Sequence, residues 1–203
     1  MEKFSSWKKV ILFFFVLLVS SIELSAGSRD HNGGFFLRLS TGAGYAQSEY
    51  GDPSSIKLYG ADGDVNIAVG MAVLPNLALH ATMFGWASSD LAAEIGGTSV
   101  EFPGHVSLGA FGVGFTYYLM PVNIYFSGSV GFSALQVELL GTFSGETDAG
   151  PAFDMTLGKE WWVGGSWGLG VAGGFGYHSV PDKEVDENWS GYSLGIRFTA
   201  TLN

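Results

Sequence analysis

The chain has 203 residues, with 31 glycines, 15 % aromatic residues, a formal net charge of −10 and no cysteine. That charge excludes the basic footprint of a nucleic-acid binder. The lack of cysteine excludes disulfides, thiolate metal centres and lipid attachment through a thiol. Only 14 % of residues are charged, few for a soluble β-protein with wet strand faces.

At the start, Lys3, Lys8 and Lys9 precede an unbroken apolar run from Val10 to Val19, and small residues follow at Ser25, Ala26 and Gly27. A positive start, a short apolar core and a small-residue cleavage site are the layout of a secretory signal peptide. The run is short for a spanning helix, which needs about 20 residues. The expectation is a leader over residues 1–26 and a single exported domain over 27–203.

Beyond the leader, apolar residues recur at every second position in eight segments: 34–46, 57–73, 77–88, 105–119, 123–137, 151–162, 167–178 and 189–202. Period two over about ten residues predicts strands. Three connections, "LPNL" (74–77), "LMPVN" (119–123) and "VGGS" (163–166), are short and carry Pro, Asn or Gly, the residues of tight turns. The other four are longer and acidic: "QSEYGDPSSI", "SSDLAAEIGGTSVEFPG", "ELLGTFSGETDAG" and "SVPDKEVDEN". Short turns at one end and long loops at the other predict eight strands running up and down.

The polar faces decide which side looks outward. In 123–137 the apolar set Ile124, Phe126, Val130 and Phe132 opposes Tyr125, Ser127, Ser129, Gly131 and Ser133. In 167–178 Trp167, Leu169, Val171, Phe175 and Tyr177 oppose Gly168, Gly170, Ala172, Gly174 and Gly176. A face so small suits the interior of an eight-stranded barrel, which is just wide enough to be filled by side chains. The predicted fold is therefore all-β, an eight-stranded antiparallel up-and-down transmembrane β-barrel, whose closure satisfies every strand hydrogen bond within lipid. Tyr117, Tyr118, Tyr125, Trp161, Trp162 and Trp167 flank the short turns, and Trp86 and Trp189 lie toward the long loops. Aromatics at both strand ends predict girdles at the two membrane interfaces.

The last segment, "WSGYSLGIRFTATLN", places Arg197 on its small face. The same alternation sends Arg38, Asp62, Asp64, Asn66, His80, Thr82, Asp154, Thr156 and Glu160 inward. Buried charge must be paired, so Arg38 and Arg197, on the two strands that meet at closure, are expected to pair with Asp or Glu across the lumen.

With its leader, eight strands, short turns and long loops, the chain resembles the small outer-membrane β-barrel family typified by the OmpA and OmpX transmembrane domains. Ser193, Gly195, Phe198 and Ala200 resemble that family's C-terminal insertion signal. The resemblance implies contact with the barrel-assembly machinery during insertion, and a porin-like, integral place in a Gram-negative outer membrane after secretion through the inner membrane. Outer-membrane lipids are then the standing partners.

Function is weighed in four forms. The leading expectation is a non-enzymatic surface barrel that supports the membrane and presents acidic loops. Their carboxylates are Glu49, Asp52, Asp90, Glu94, Glu101, Glu146, Asp148, Asp182, Glu184, Asp186 and Glu187, possible holders of divalent cations near lipopolysaccharide phosphates. The second is a narrow pore for small solutes, against which eight strands leave little room. The third is a lipid A-modifying enzyme using His178 beside Ser179, or His105, as a base; no spacing assembles a triad, and no catalytic residue or cofactor is assigned. The fourth is adhesion or partner binding through the second long loop, with Leu91, Ile95, Val100 and Phe102.

Overall fold

The computed structural model describes residue 31 and residues 34–51, 56–139, 143–163, 165–183 and 186–203. The leader expected over 1–26, and the loop carboxylates Asp52 and Glu184, lie outside the described residues. The strands are β1 (Gly34–Tyr50), β2 (Ile56–Leu74), β3 (Leu77–Ile95), β4 (Thr98–Leu119), β5 (Ile124–Leu139), β6 (Phe143–Glu146), β7 (Gly150–Trp162), β8 (Trp167–Pro181) and β9 (Asn188–Leu202). Every pairing between neighbours is antiparallel, and β1 pairs with β9 from Leu37↔Leu202 to Tyr50↔Trp189, which closes the barrel. Eight strands form the wall; β6 is a short extra strand on the upper end of β5.

Several strands run well past the predicted segments. The stretch expected as the second long loop is instead a hairpin, with β3 and β4 paired out to Ile95↔Thr98. Its tip is Gly96–Gly97 at φ 59° and 82°. Positive φ at both central residues is the type I′ turn, whose twist matches the strands it joins. Turn-forming residues at one point, rather than a loop composition throughout, set this connection. One irregularity between Ser88 and Asp90 shifts the register on the way up.

Alternation along each strand keeps its phase, yet the chemistry of the two faces exchanges part-way up. On β4, Phe111, Val113, Phe115, Tyr117 and Leu119 point outward, while Val106, Leu108 and Ala110 are buried inside. On β5, Ile124, Phe126, Val130 and Phe132 are exposed, whereas above them Leu135 is fully buried and Gln136 and Glu138 face out. The apolar outer band covers residues 111–119 and 124–132, about nine residues on each strand, the length of a membrane-spanning β-strand. Above that band the molecule has an apolar inside and a wet outside, as a soluble barrel does.

The interior accordingly is not polar throughout. Its outer end is an apolar cluster of Ala46, Leu58, Trp86, Ala93, Val106, Leu108, Leu135 and Val180. Trp86, Tyr118 and Tyr125 are buried in the lumen rather than set in interfacial girdles. Strand parity explains this: Tyr117 faces lipid, so Tyr118 must face in. Trp167 and Tyr177 do sit on the outer wall.

Candidate functional site

The lumen carries the densest chemistry, in three levels. The middle level centres on Arg197 of β9, buried to 2 % exposure. Its Nε and Nη2 donate to Asp64 Oδ1 at 2.5 Å and Oδ2 at 2.7 Å, a two-pronged fork. Nη1 and Nη2 also donate to Asp154 Oδ1 at 2.9 Å and Oδ2 at 2.6 Å, and Nη1 reaches Thr156 Oγ1 at 2.6 Å. Asn66 Nδ2 adds a bond to Asp154 Oδ1 at 2.9 Å. Strands β2, β7 and β9 are thus tied through one guanidinium, whose fixed donor geometry suits planar carboxylates. Gly174 of β8 makes room for it, since a Cβ there would lie 2.5 Å from Arg197 Cζ. Asp62 is buried one pleat above, and among the described residues no side chain hydrogen-bonds its carboxylate.

The level nearer the short turns belongs to Arg38. It donates from Nη1 to Thr116 Oγ1 at 2.9 Å and from Nη2 to Ser127 Oγ at 2.7 Å. Its guanidinium lies 4.9 Å from the Tyr125 ring centre and 5.9 Å from that of Phe36, within cation–π range. Where a carboxylate was expected, Arg38 therefore takes hydroxyls and rings. Thr116 Oγ1 donates a hydrogen bond to Ser127 Oγ at 3.0 Å, and Ser127 donates to the Phe115 carbonyl at 3.1 Å. With that hydroxyl hydrogen committed, His80 Nε2, 3.1 Å from Thr116 Oγ1, must carry the donating proton. Glu160 accepts from Thr201 Oγ1 at 2.6 Å and, more distantly, from Tyr118 Oη at 3.3 Å. His31, ahead of β1, stacks on Tyr118 at 3.6 Å, and its Nε2 lies 3.1 Å from Asn123 Oδ1. It stoppers the short-turn mouth.

At the outer level His178 Nε2 lies 2.6 Å from Ser48 Oγ, not on Ser179, and the Trp86 ring centre is 6.1 Å away. Ser48 and His178 are 0 % and 1 % exposed. The enclosed space beside Arg197, Asp64, Asp154, Trp86 and His178 amounts to about 10 Å³, scarcely one water's worth. His105 is exposed on the outer surface of β4, across from Glu138 of β5.

All seven lumen residues named from the sequence are buried. Three of them, Asp64, Asp154 and Arg197, are brought into direct contact; Arg38 and His80 meet through Thr116, while Glu160 and Asp62 keep apart. Sequence reasoning missed Ser48, because it fell in an expected loop, and His31, because no periodic segment contained it. Thr116 and Ser127 carried the inward parity but no charge to single them out. Of the C-terminal signal residues, Ser193 is buried and Phe198 faces out.

No family model and no curated protein matches the sequence. Solved structures do match. Neisserial surface protein A superposes with a TM-score of 0.53 at 13 % identity, covering 82 % of this chain and 97 % of that one. The attachment invasion locus protein Ail of Yersinia pestis (TM-score 0.43, 14 % identity, 80 % and 98 % covered) and OprG of Pseudomonas aeruginosa (0.44, 10 %, 85 % and 99 %) also match. The chain has the fold of the small eight-stranded outer-membrane β-barrels. Its lipid-facing band makes it an integral membrane protein of that type.

The described part of the rim carries two ion pairs. Lys57 lies 3.5 Å from Glu49, and Lys183 lies 2.9 Å from Glu146. The hydrogen bond from Lys183 holds the Glu146 carboxyl below its ordinary value, and the same bond raises Lys183. No group of three or more His, Asp or Glu converges on a metal position among the described residues.

Proposed function

We infer that this outer-membrane barrel is a non-catalytic, non-conducting anchor that supports the membrane and holds acidic β-hairpins above it. The filled lumen carries the reading. Arg197 spans its middle, His31 and Tyr118 close the short-turn end, and the apolar cluster around Trp86 fills the outer end. A solute would have to break a buried ion pair to pass, leaving uncompensated charge in a low-dielectric interior. The buried Ser48–His178 pair favours a structural role over a catalytic one, because a nucleophile must come within about 3–3.5 Å of its reacting atom. The acidic rim offers carboxylates to divalent cations shared with lipopolysaccharide phosphates.

Proteoliposomes test this. Swelling in small sugars and salts is expected to stay at the protein-free rate; solute entry that depends on the protein would overturn the anchor reading in favour of a pore.

A second reading, partner binding, is favoured by one observation. The β3–β4 hairpin carries Ile95 and Val100, 51 % and 42 % exposed, beside its tip and above the lipid band. Shortening it across 89–104 should then abolish surface binding while the barrel still folds.

A further inference from the structure

The outer wall of the barrel is not evenly covered. Across β2–β5 and β7, within the apolar band, lies a cavity of about 920 Å³ walled by Met71, Leu79, Val113, Phe115, Phe126 and Met155. Small-molecule pockets span about 300–1,000 Å³, so this is a large indentation for a convex surface. Two small outward residues shape it. Ala81 opposes Val113, and Gly128 lies between Phe115 on one side and Met155 on the other. Phe115 and Phe126 stand 5.9 Å apart over Gly128, where an added Cβ would meet their ring atoms at 3.3 and 3.8 Å.

Lys159 belongs to the same face. Outward residues on β7 run Met155, Leu157, Lys159, and the register sets Leu157 against Phe126 and Lys159 against Ile124. Lys159 lies four positions beyond Met155, about 13 Å at the rise of a strand. Lys159 is the one cation on the outer wall at the short-turn end among the described residues. Its Nζ donates to the Val122 carbonyl and lies 5.5 Å over the Trp161 ring, which holds the ammonium at the membrane edge. An ammonium has three donors, so two remain for a ligand.

We propose that this groove and Lys159 form a site for one anionic glycerophospholipid of the inner leaflet, with an acyl chain in the groove and the phosphate on Lys159. Charge complementarity selects the anionic head, and the apolar walls select the chain. Position selects the leaflet: short turns face the periplasm, which places Lys159 away from the lipopolysaccharide side. The site stands whether or not the lumen conducts.

Native mass spectrometry of the full barrel, released from nanodiscs of phosphatidylethanolamine with one-fifth phosphatidylglycerol, tests it. Wild type should retain one lipid, enriched at least about threefold in phosphatidylglycerol over the bilayer. Lys159→Gln should return that ratio to the bilayer value. Ala81→Phe, an apolar change facing lipid, should lower the amount retained without altering the ratio. Lys57→Gln at the far rim should change neither, and the gel shift of unheated barrel confirms folding of each variant. Wild-type retention at bilayer composition, or an enrichment that survives Lys159→Gln, overturns the site.

Discussion

Arg197 concentrates the energetics of the lumen into one side chain. Replacing it with Ala leaves Asp64 and Asp154 facing each other in a dry interior, and losing one partner of a buried ion pair costs about 3–5 kcal/mol. Urea unfolding of the barrel refolded into bilayers should show that loss, and an unchanged midpoint would refute the network. Gly174→Ala is a subtler probe, because the guanidinium that a new Cβ would strike is pinned by five bonds to Asp64, Asp154 and Thr156. Overpacking of that kind costs about 1–3 kcal/mol. Its cost should largely vanish in an Arg197→Met background, a coupling that a double-mutant cycle reads directly. Equal cost in both backgrounds would place the strain elsewhere.

Among the elements, the β3–β4 hairpin is the one whose form rests on local geometry rather than on the barrel. Gly96 and Gly97 supply two consecutive positive φ values, and an ordinary residue pays roughly 1–2 kcal/mol for the left-handed conformation. Gly97→Val should therefore loosen the hairpin and leave the wall intact. Proteinase K cutting within residues 89–104 on whole cells should speed up, while thermal unfolding of the purified barrel should not move. A drop in the barrel's own transition would mean that the hairpin and the wall fold as one unit. The tether between β6 and the β8–β9 connection, Glu146 to Lys183 at 2.9 Å, is solvent-exposed and adds little by comparison.

For the whole molecule, the decisive feature is the height at which inside and outside exchange character. Val130 lies within the apolar band and is 63 % exposed, whereas Glu138, eight residues further up the same strand and on the same face, lies beyond it. Val130→Arg should cost about 2–4 kcal/mol, the depth-dependent penalty of a cation on a lipid-facing wall. Glu138→Arg should stay within about 0.5 kcal/mol, as surface changes usually do. Refolding equilibria in bilayers measure both, and equal penalties would shift the membrane boundary upward.

Alternation and turn chemistry sufficed to specify eight antiparallel strands, their short-turn end, and the inward parity of Arg38, Asp62, Asp64, His80, Asp154, Glu160 and Arg197. A period of two is a local property, so it survives in the one-dimensional chain. Partners across the lumen are not local. Asp64 and Arg197 stand 133 positions apart and meet only because closure and register bring β2, β7 and β9 to one level. The same holds for Arg38, whose inward direction was plain but whose choice of Thr116, Ser127 and Tyr125 over a carboxylate depends on which strands lie opposite. Trp86 and Tyr118 were legible as strand-end aromatics, yet their burial follows from strand length and parity within the closed wall. The sequence by itself determined the eight wall strands and the inward face of the seven charged and histidine residues named above, because backbone pleating carries a period of two. Only the tertiary structure decided which inward residues meet and where the membrane ends, because both depend on the stagger of the closed barrel.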